Sequence, residues 1–331
     1  MQEIELGTTG LRAPQVGFGC ASILGRTGRA DSLRALAAAW DEGIRFFDTA
    51  RSYGYGESEA LLGQFLRGRR EQAVIATKFG MLAAPQSTWK RYAKSAARMV
   101  LKLAPSSHRL LQRGAASQFS HNQFTLAVLQ QSIEESLTKL GTDRVDMLFL
   151  HAAPASVLEQ DDLLEAMARL VEAGKVRVAG LSANPDVVEI ALKRDISQLQ
   201  AMQFPCNVFE ISAAVGFSAR GGRALVANHP FGGVARVQQC REVLQSLSSG
   251  SALGAELRAK LENADDAVLA DVVLNTILRD TGIHIVIPAM MKLKHIQLNV
   301  GAVRESRFTS TELAQIREAL AAAQNAGPAP K

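Results

Sequence analysis

The sequence predicts a single (β/α)8 TIM barrel over residues 1–331, and three observations carry that reading. Strand-like apolar runs alternate with amphipathic helical stretches from end to end, the pattern of parallel strands joined by crossover helices. The strand-like runs number eight, as a closed barrel requires. No Gly-x-Gly-x-x-Gly follows the first of them, where an open dinucleotide-binding sheet would carry one. The 331 residues, 47% of them hydrophobic, are long for an average domain but suit one such core.

Before the first run, Ile4-Glu5-Leu6 and Leu11-Arg12 can form a short N-terminal β-hairpin across the barrel floor. The eight runs are Val16–Gly19, Arg45–Thr49, Val74–Lys78, Met147–Leu150, Arg177–Ser182, Ala201–Gln203, Ala224–Asn228 and His284–Pro288. Between them, Leu33, Leu36, Ala37 and Trp40 repeat at helical spacing and stop at Gly43. Leu126 to Leu140 stops at Gly141, Leu163 to Val171 at Gly174, and Val268 to Leu278 at Gly282, glycine being the common residue just past a helix end. A last helix, Thr309 to Gln324, opens with Thr309-x-x-Glu312, a capping box. The tail 325–331 reads as frayed. The excess over a minimal barrel lies in an extended loop between the third strand and third helix, 82–123.

Charge is uneven along the chain. The net charge is +5, yet from Ala73 to Ser132 there are eight basic residues and no acidic one, leaving the remainder at −3 (5 minus 8). Within that stretch 87–103 has apolar residues at helical spacing with Lys90, Arg91, Lys94, Arg98 and Lys102 mostly off the stripe. A solvated helix beside the site explains this, and so does a basic lid for an acidic substrate, partner or surface. A local basic run does not make the chain a nucleic-acid binder. Cys20, Cys206 and Cys240 are odd in number and scattered, which gives no disulfide framework and no metal site. No apolar run has the length of a membrane span, and Met1-Gln2-Glu3-Ile4-Glu5 lacks the plan of a signal peptide. The expected compartment is cytoplasmic.

Four polar residues occur at or just after strand ends. Asp48 follows Phe46-Phe47, Tyr53 follows five residues later, Lys78 ends Val74–Lys78, and His151 follows Leu148-Phe149-Leu150. In a barrel these ends share the catalytic face. A buried lysine needs a partner or a task. Asp48 can balance it, and its ammonium would draw down the pKa of Tyr53, ordinarily ~10. With His151 orienting a substrate oxygen, the set suits proton donation to a carbonyl that receives a hydride. The hydride must come from a cofactor. Singly, Asp48 also reads as a turn cap and Tyr53 as a packed loop tyrosine.

Asp48-Thr49-Ala50-x-x-Tyr53-Gly54, Thr77-Lys78 and Leu148-x-Leu150-His151 resemble the aldo-keto reductase superfamily, as do Gly180-Leu181-Ser182 and Val286-Ile287-Pro288. The resemblance implies a barrel that binds a nicotinamide cofactor, NADPH by preference with NADH as the variant. It implies Tyr53 as general acid/base, Lys78 and Asp48 as the pair that tunes it, and His151 as the residue that orients the carbonyl. It further implies Ser182, Gln203 and Asn184 at the nicotinamide carboxamide, with Ala183 intervening where the family has Ser-Asn adjacent. Asn299 matches an asparagine that contacts adenine. The 2′-phosphate segment departs from the family pattern: Lys292, Lys294 and His295 stand where the family often has a different basic run. The implied substrate is a small aldehyde, ketone or sugar. A nucleotide-binding redox-sensing subunit with little turnover is the alternative, and a lyase using Lys78 as a Schiff-base nucleophile is a third.

Overall fold

A computed structural model of the chain describes residues 1–25, 27–83, 119–120, 123–250, 253–262 and 264–325. The basic stretch 87–103, most of the 82–123 loop and the tail after Asn325 lie outside the described residues.

Every predicted strand is present in one parallel eight-stranded sheet. In chain order these are β3 (Gly17–Gly19), β4 (Phe46–Asp48), β5 (Val74–Phe79), β8 (Val145–His151), β9 (Val176–Ser182), β10 (Ala201–Pro205), β11 (Ala224–Asn228) and β12 (Ile285–Ile287). The first and last members meet through a parallel bridge between Val16 and Val286, where Val286 N–H donates to the Gln15 carbonyl at 2.9 Å. The sheet is therefore a nearly closed barrel. β8 extends beyond the expected run because Val145 pairs with Val176 and His151 with Ser182 in the ladder to β9.

The antiparallel hairpin of β1 (Glu3–Glu5) and β2 (Arg12–Pro14) precedes the barrel. Its Leu6, Leu11 and Ala13 are buried with Phe46, Val74, Ala76, Met147, Phe149 and Val226 in the barrel interior. That apolar plug closes the floor and leaves the opposite mouth for polar chemistry. A larger apolar layer lies between barrel and helices, including Leu129, Ile133 and Leu137 from the helix Leu126–Leu140. That helix starts at Thr125, whose hydroxyl accepts from Val128 N–H, and stops at Gly141 in the left-handed region at φ 66°. The extended loop leaves and returns through a small antiparallel ladder, β6 (Leu82–Ala83) with β7 (Phe119–Ser120). The expected capping box is made: Thr309 N–H donates to the Glu312 carboxylate at 2.7 Å, and Glu312 N–H to the Thr309 hydroxyl at 3.2 Å.

Register carries the fold's consequence for chemistry. Asp48 pairs with Ala76, Lys78 with Phe149, His151 with Ser182, and Ser182 with Gln203. Neighbouring strands thus deliver Asp48, Lys78, His151, Ser182 and Gln203 to the same rim.

Candidate active site

Lys78 is the centre of the site. Its side chain is almost wholly buried, and its ammonium donates to Asp48 Oδ1 at 2.6 Å, to the Thr49 carbonyl at 3.0 Å and to the Tyr53 hydroxyl at 3.4 Å. Three oxygens thus replace the water lost on burial, which makes an interior ammonium tolerable. Asp48 is not the turn cap it resembles in isolation. Its Oδ1 also accepts from Gln203 Nε2 at 2.8 Å, and Gln203 Oε1 in turn accepts from the Ser182 hydroxyl at 2.7 Å.

Tyr53 is carried by a one-turn 3-10 segment, Tyr53–Gly56, directly after β4. Gly54 and Tyr55 both lie in the left-handed region, at φ 58° and 59°. A Cβ on Gly54 would stand 2.7 Å from the Ile23 carbonyl oxygen. Only glycine lets this loop press against the segment after β3 and keep Tyr53 turned toward Lys78. The Tyr53 ring meets the His151 ring edge to face, with centroids 5.7 Å apart.

Electrostatics decide the protonation states. Burial pushes the Tyr53 hydroxyl above its ordinary 10, and the negative charge of Asp48 adds to this; Lys78 pulls it down but does not win. The downward pull expected from the sequence is therefore present and outweighed. For Lys78 the largest influence is burial, which lowers its pKa, yet Asp48 and Tyr53 together raise it above 10.5. The resting site holds an ammonium beside a protonated phenol. An amine kept charged is a poor Schiff-base nucleophile, which argues against the lyase alternative.

The cofactor residues expected from the sequence divide into two groups. Ser182 and Gln203 are buried and bonded into the Asp48–Lys78 network. A hydroxyl next to a primary amide has the donors and acceptors that a carboxamide needs, so this rim fits a nicotinamide ring. Asn184 is exposed at the N-cap of the helix Pro185–Lys193 and makes no side-chain capping bond. Lys292 is the N-cap residue of the helix Leu293–Arg304 and His295 lies in its first turn, both exposed. Lys294 instead reaches Asp266 at 3.3 Å. Asn299 is buried one turn further on, its amide 3.5 Å from Met290 sulfur. His229, at the end of β11, bonds Asn228 Oδ1 through its Nδ1 at 2.9 Å.

One residue escaped the sequence reading. Glu59 is buried in the helix Ser58–Leu66 and accepts from the Thr77 hydroxyl at 2.7 Å, immediately before Lys78. Burial raises its pKa, against the pull of its hydrogen bonds and of Arg51 and Lys139. Its signal in the sequence was a carboxylate on a largely apolar helix.

Comparison with known proteins agrees with this geometry. "Aldo-keto reductase YhdN" of Bacillus subtilis is 28% identical over 216 residues, 63% of this chain and 55% of that protein. "D-threo-aldose 1-dehydrogenase" of a Pseudomonas species is 35% identical over 178 residues, 52% of this chain and 49% of that protein. The chain thus spans about half the length of these curated relatives. Among solved structures, the holo form of aldo-keto reductase AKR11C1 from Bacillus halodurans shares the fold with a TM-score of 0.69 at 22% identity, over 96% of each chain. The sequence model of the Aldo/keto reductase family matches residues 15–321, and with strands, rim and network all in agreement the chain belongs to that family.

Proposed function

We propose that the chain acts as one catalytic domain, an NADPH-dependent reductase of small aldehydes, ketones or sugars that also runs the reverse oxidation. Membership of the family supports oxidoreduction of a carbonyl, and the observation that carries the mechanism is Lys78 held between Asp48 and Tyr53 at 2.6 and 3.4 Å. A reduced nicotinamide dinucleotide, when bound, supplies the hydride. Ser182 and Gln203 would hold its carboxamide, with Asn184 on the adjoining loop, and Asn299 would contact its adenine.

Tyr53 donates the proton that the carbonyl oxygen requires as negative charge grows on it. Burial keeps the phenol protonated at rest, and the Lys78 ammonium stabilises the phenolate left behind. Asp48 holds that ammonium in place, and Gln203 fixes Asp48. His151, edge-on to Tyr53, hydrogen-bonds the carbonyl oxygen and orients it toward the phenol. Lys292, exposed at the N-cap of its helix, and His295, exposed in the first turn, favour a 2′-phosphate and hence NADPH over NADH. A sugar substrate has support in the Pseudomonas relative, a D-threo-aldose 1-dehydrogenase.

Nucleotide fluorescence titration of wild type and Lys292→Ala tests this reading. It expects tighter binding of NADPH than NADH, with the preference narrowed in the variant. Binding of neither nucleotide would remove the oxidoreductase reading; tight binding with no turnover on any carbonyl would favour a redox-sensing subunit.

A further inference from the structure

The end of the barrel opposite the active site holds a cavity of about 270 Å³ with an unusual lining. Arg12, Arg45, Arg70, Arg144 and Arg177 all line it. They come from the hairpin and from the starts of β4, β5, β8 and β9, so their convergence is invisible along the chain. Against these five guanidinium groups the cavity sets three carboxylates, Glu3, Glu71 and Asp146.

Four of the five arginines have carboxylate partners, Glu5 lying 3.8 Å from Arg12 and Asp143 3.4 Å from Arg144 in addition to the lining acids, and Arg45 is the exception. Asp146 is buried and already shared: Arg70 lies at 2.9 Å, Arg177 at 3.3 Å, and Ile75 N–H donates to it at 2.9 Å. Glu71 pairs with Arg144 at 2.5 Å. The Glu3 backbone carbonyl accepts from Arg12 at 3.2 Å, and its carboxylate acts on Arg45 only through space. Arg45 has no carboxylate within ion-pair distance among the described residues. It stacks 3.8 Å over the Trp40 ring and spends one nitrogen, Nη1, on the Trp40 and Ile44 carbonyls. Burial weakens its hold on the proton, and nearby Arg69 adds to this, although Glu3 and Asp41 oppose. Arg177 keeps a half-exposed side chain that reaches Asp146. Arg70 is fully engaged, by Thr142, the Ala73 and Arg144 carbonyls and Asp146, and serves as a fixed wall.

Guanidinium forks match the oxygens of a phosphate two at a time, which a point charge cannot do. The volume is close to the lower end of ligand pockets, about 300 Å³, enough for a phosphate and a small group that carries it. We propose that this floor cavity binds a phosphate group, free or as a small phosphomonoester, with Arg45, Arg144 and Arg177 as its principal contacts. The site is separate from the catalytic mouth. Val74 lines the cavity and Lys78 the mouth, on the same strand and about 13 Å apart at the usual rise. A ligand here ties the hairpin to four strand starts and stabilises the barrel without competing for the nucleotide.

Thermal melting and calorimetry with inorganic phosphate, and in parallel with glycerol phosphate, test the proposal at constant ionic strength set with chloride. Saturating NADPH or the Lys292→Ala substitution removes binding at the nucleotide site. Under those conditions phosphate should still give a saturable rise in Tm of about 2–4 °C. Arg177→Gln, and Arg45→Gln if it folds, should weaken the binding about tenfold each, with nucleotide binding unchanged. Tighter binding of the ester would mark the cavity as a metabolite site, and equal binding as a site for the free ion. A rise that chloride reproduces, that Lys292→Ala abolishes, or that survives Arg177→Gln and Arg144→Gln undiminished would overturn it.

Discussion

Gln203 donates to Asp48 Oδ1 at 2.8 Å, the same oxygen that holds Lys78 at 2.6 Å, across 155 residues of chain. The Ser182–Gln203 rim and the Asp48–Lys78–Tyr53 cluster are therefore one network. A change in Gln203 should reach the chemistry as well as the nucleotide. Gln203→Leu leaves the buried Asp48 oxygen one donor short and is expected to cost about 1–3 kcal/mol of stability, with kcat falling alongside nucleotide affinity. A variant that lost affinity alone, kcat unchanged at saturating nucleotide, would separate the two functions.

The Lys78–Asp48 pair should behave as a unit. Removing one partner strands a buried charge, so Lys78→Met or Asp48→Leu alone should destabilise by about 3–5 kcal/mol. The double variant, which leaves no buried charge, should lose clearly less than the sum. Urea unfolding of the four proteins measures the coupling; additive losses would show that the ion pair is weak.

Gly54 is the hinge of the tyrosine loop. With φ at 58° and the Ile23 carbonyl oxygen 2.7 Å from any added Cβ, Gly54→Ala is expected to cost more than 1 kcal/mol. It should lower kcat by misplacing Tyr53 while nucleotide affinity holds. A crystal structure of the variant with Tyr53 undisturbed would argue that the loop has slack.

Acid sensitivity should arise at His284, remote from the site. Leu225 N–H stands 3.0 Å from its Nδ1 and Gly7 N–H 3.0 Å from its Nε2. A neutral ring can accept from one of these and a protonated ring from neither. Burial lowers its pKa below 6.5. The unfolded chain therefore binds this proton first as pH falls. The contribution of His284 to stability is complete above pH 6.5 and is lost on descent toward its lowered native value. Melting curves between pH 7.5 and 5 should show this slope in wild type and a shallower one in His284→Gln; parallel slopes would assign the loss elsewhere.

The barrel was legible because its strands are buried on both faces and so appear as unbroken apolar runs. Their ends were less so: β8 begins at Val145 because backbone pairing with Val176 continues through a charged residue, Asp146, which apolar content alone hides. That Asp48, Lys78 and His151 share one rim was legible through spacing, since a polar residue at a strand end is one position repeated in each β/α unit. What the chain could not display is contact between distant units. The bond from Gln203 to Asp48, the burial of Glu59 against Thr77 and the gathering of five arginines at the floor all depend on closure of the ring. Protonation was also hidden: neighbouring charge was visible in sequence, but the depth of burial that outweighs it at Tyr53 was not.

Tyr53→Phe tests the central claim most directly, because it removes one hydroxyl and little else. NADPH binding by fluorescence and single-turnover reduction of a carbonyl substrate should be measured on the same preparation. A general-acid role predicts nucleotide affinity close to wild type and a hydride-transfer rate reduced about 10²–10⁴-fold. A rate within a few-fold of wild type, with affinity intact, would contradict it and move the proton donor to another residue.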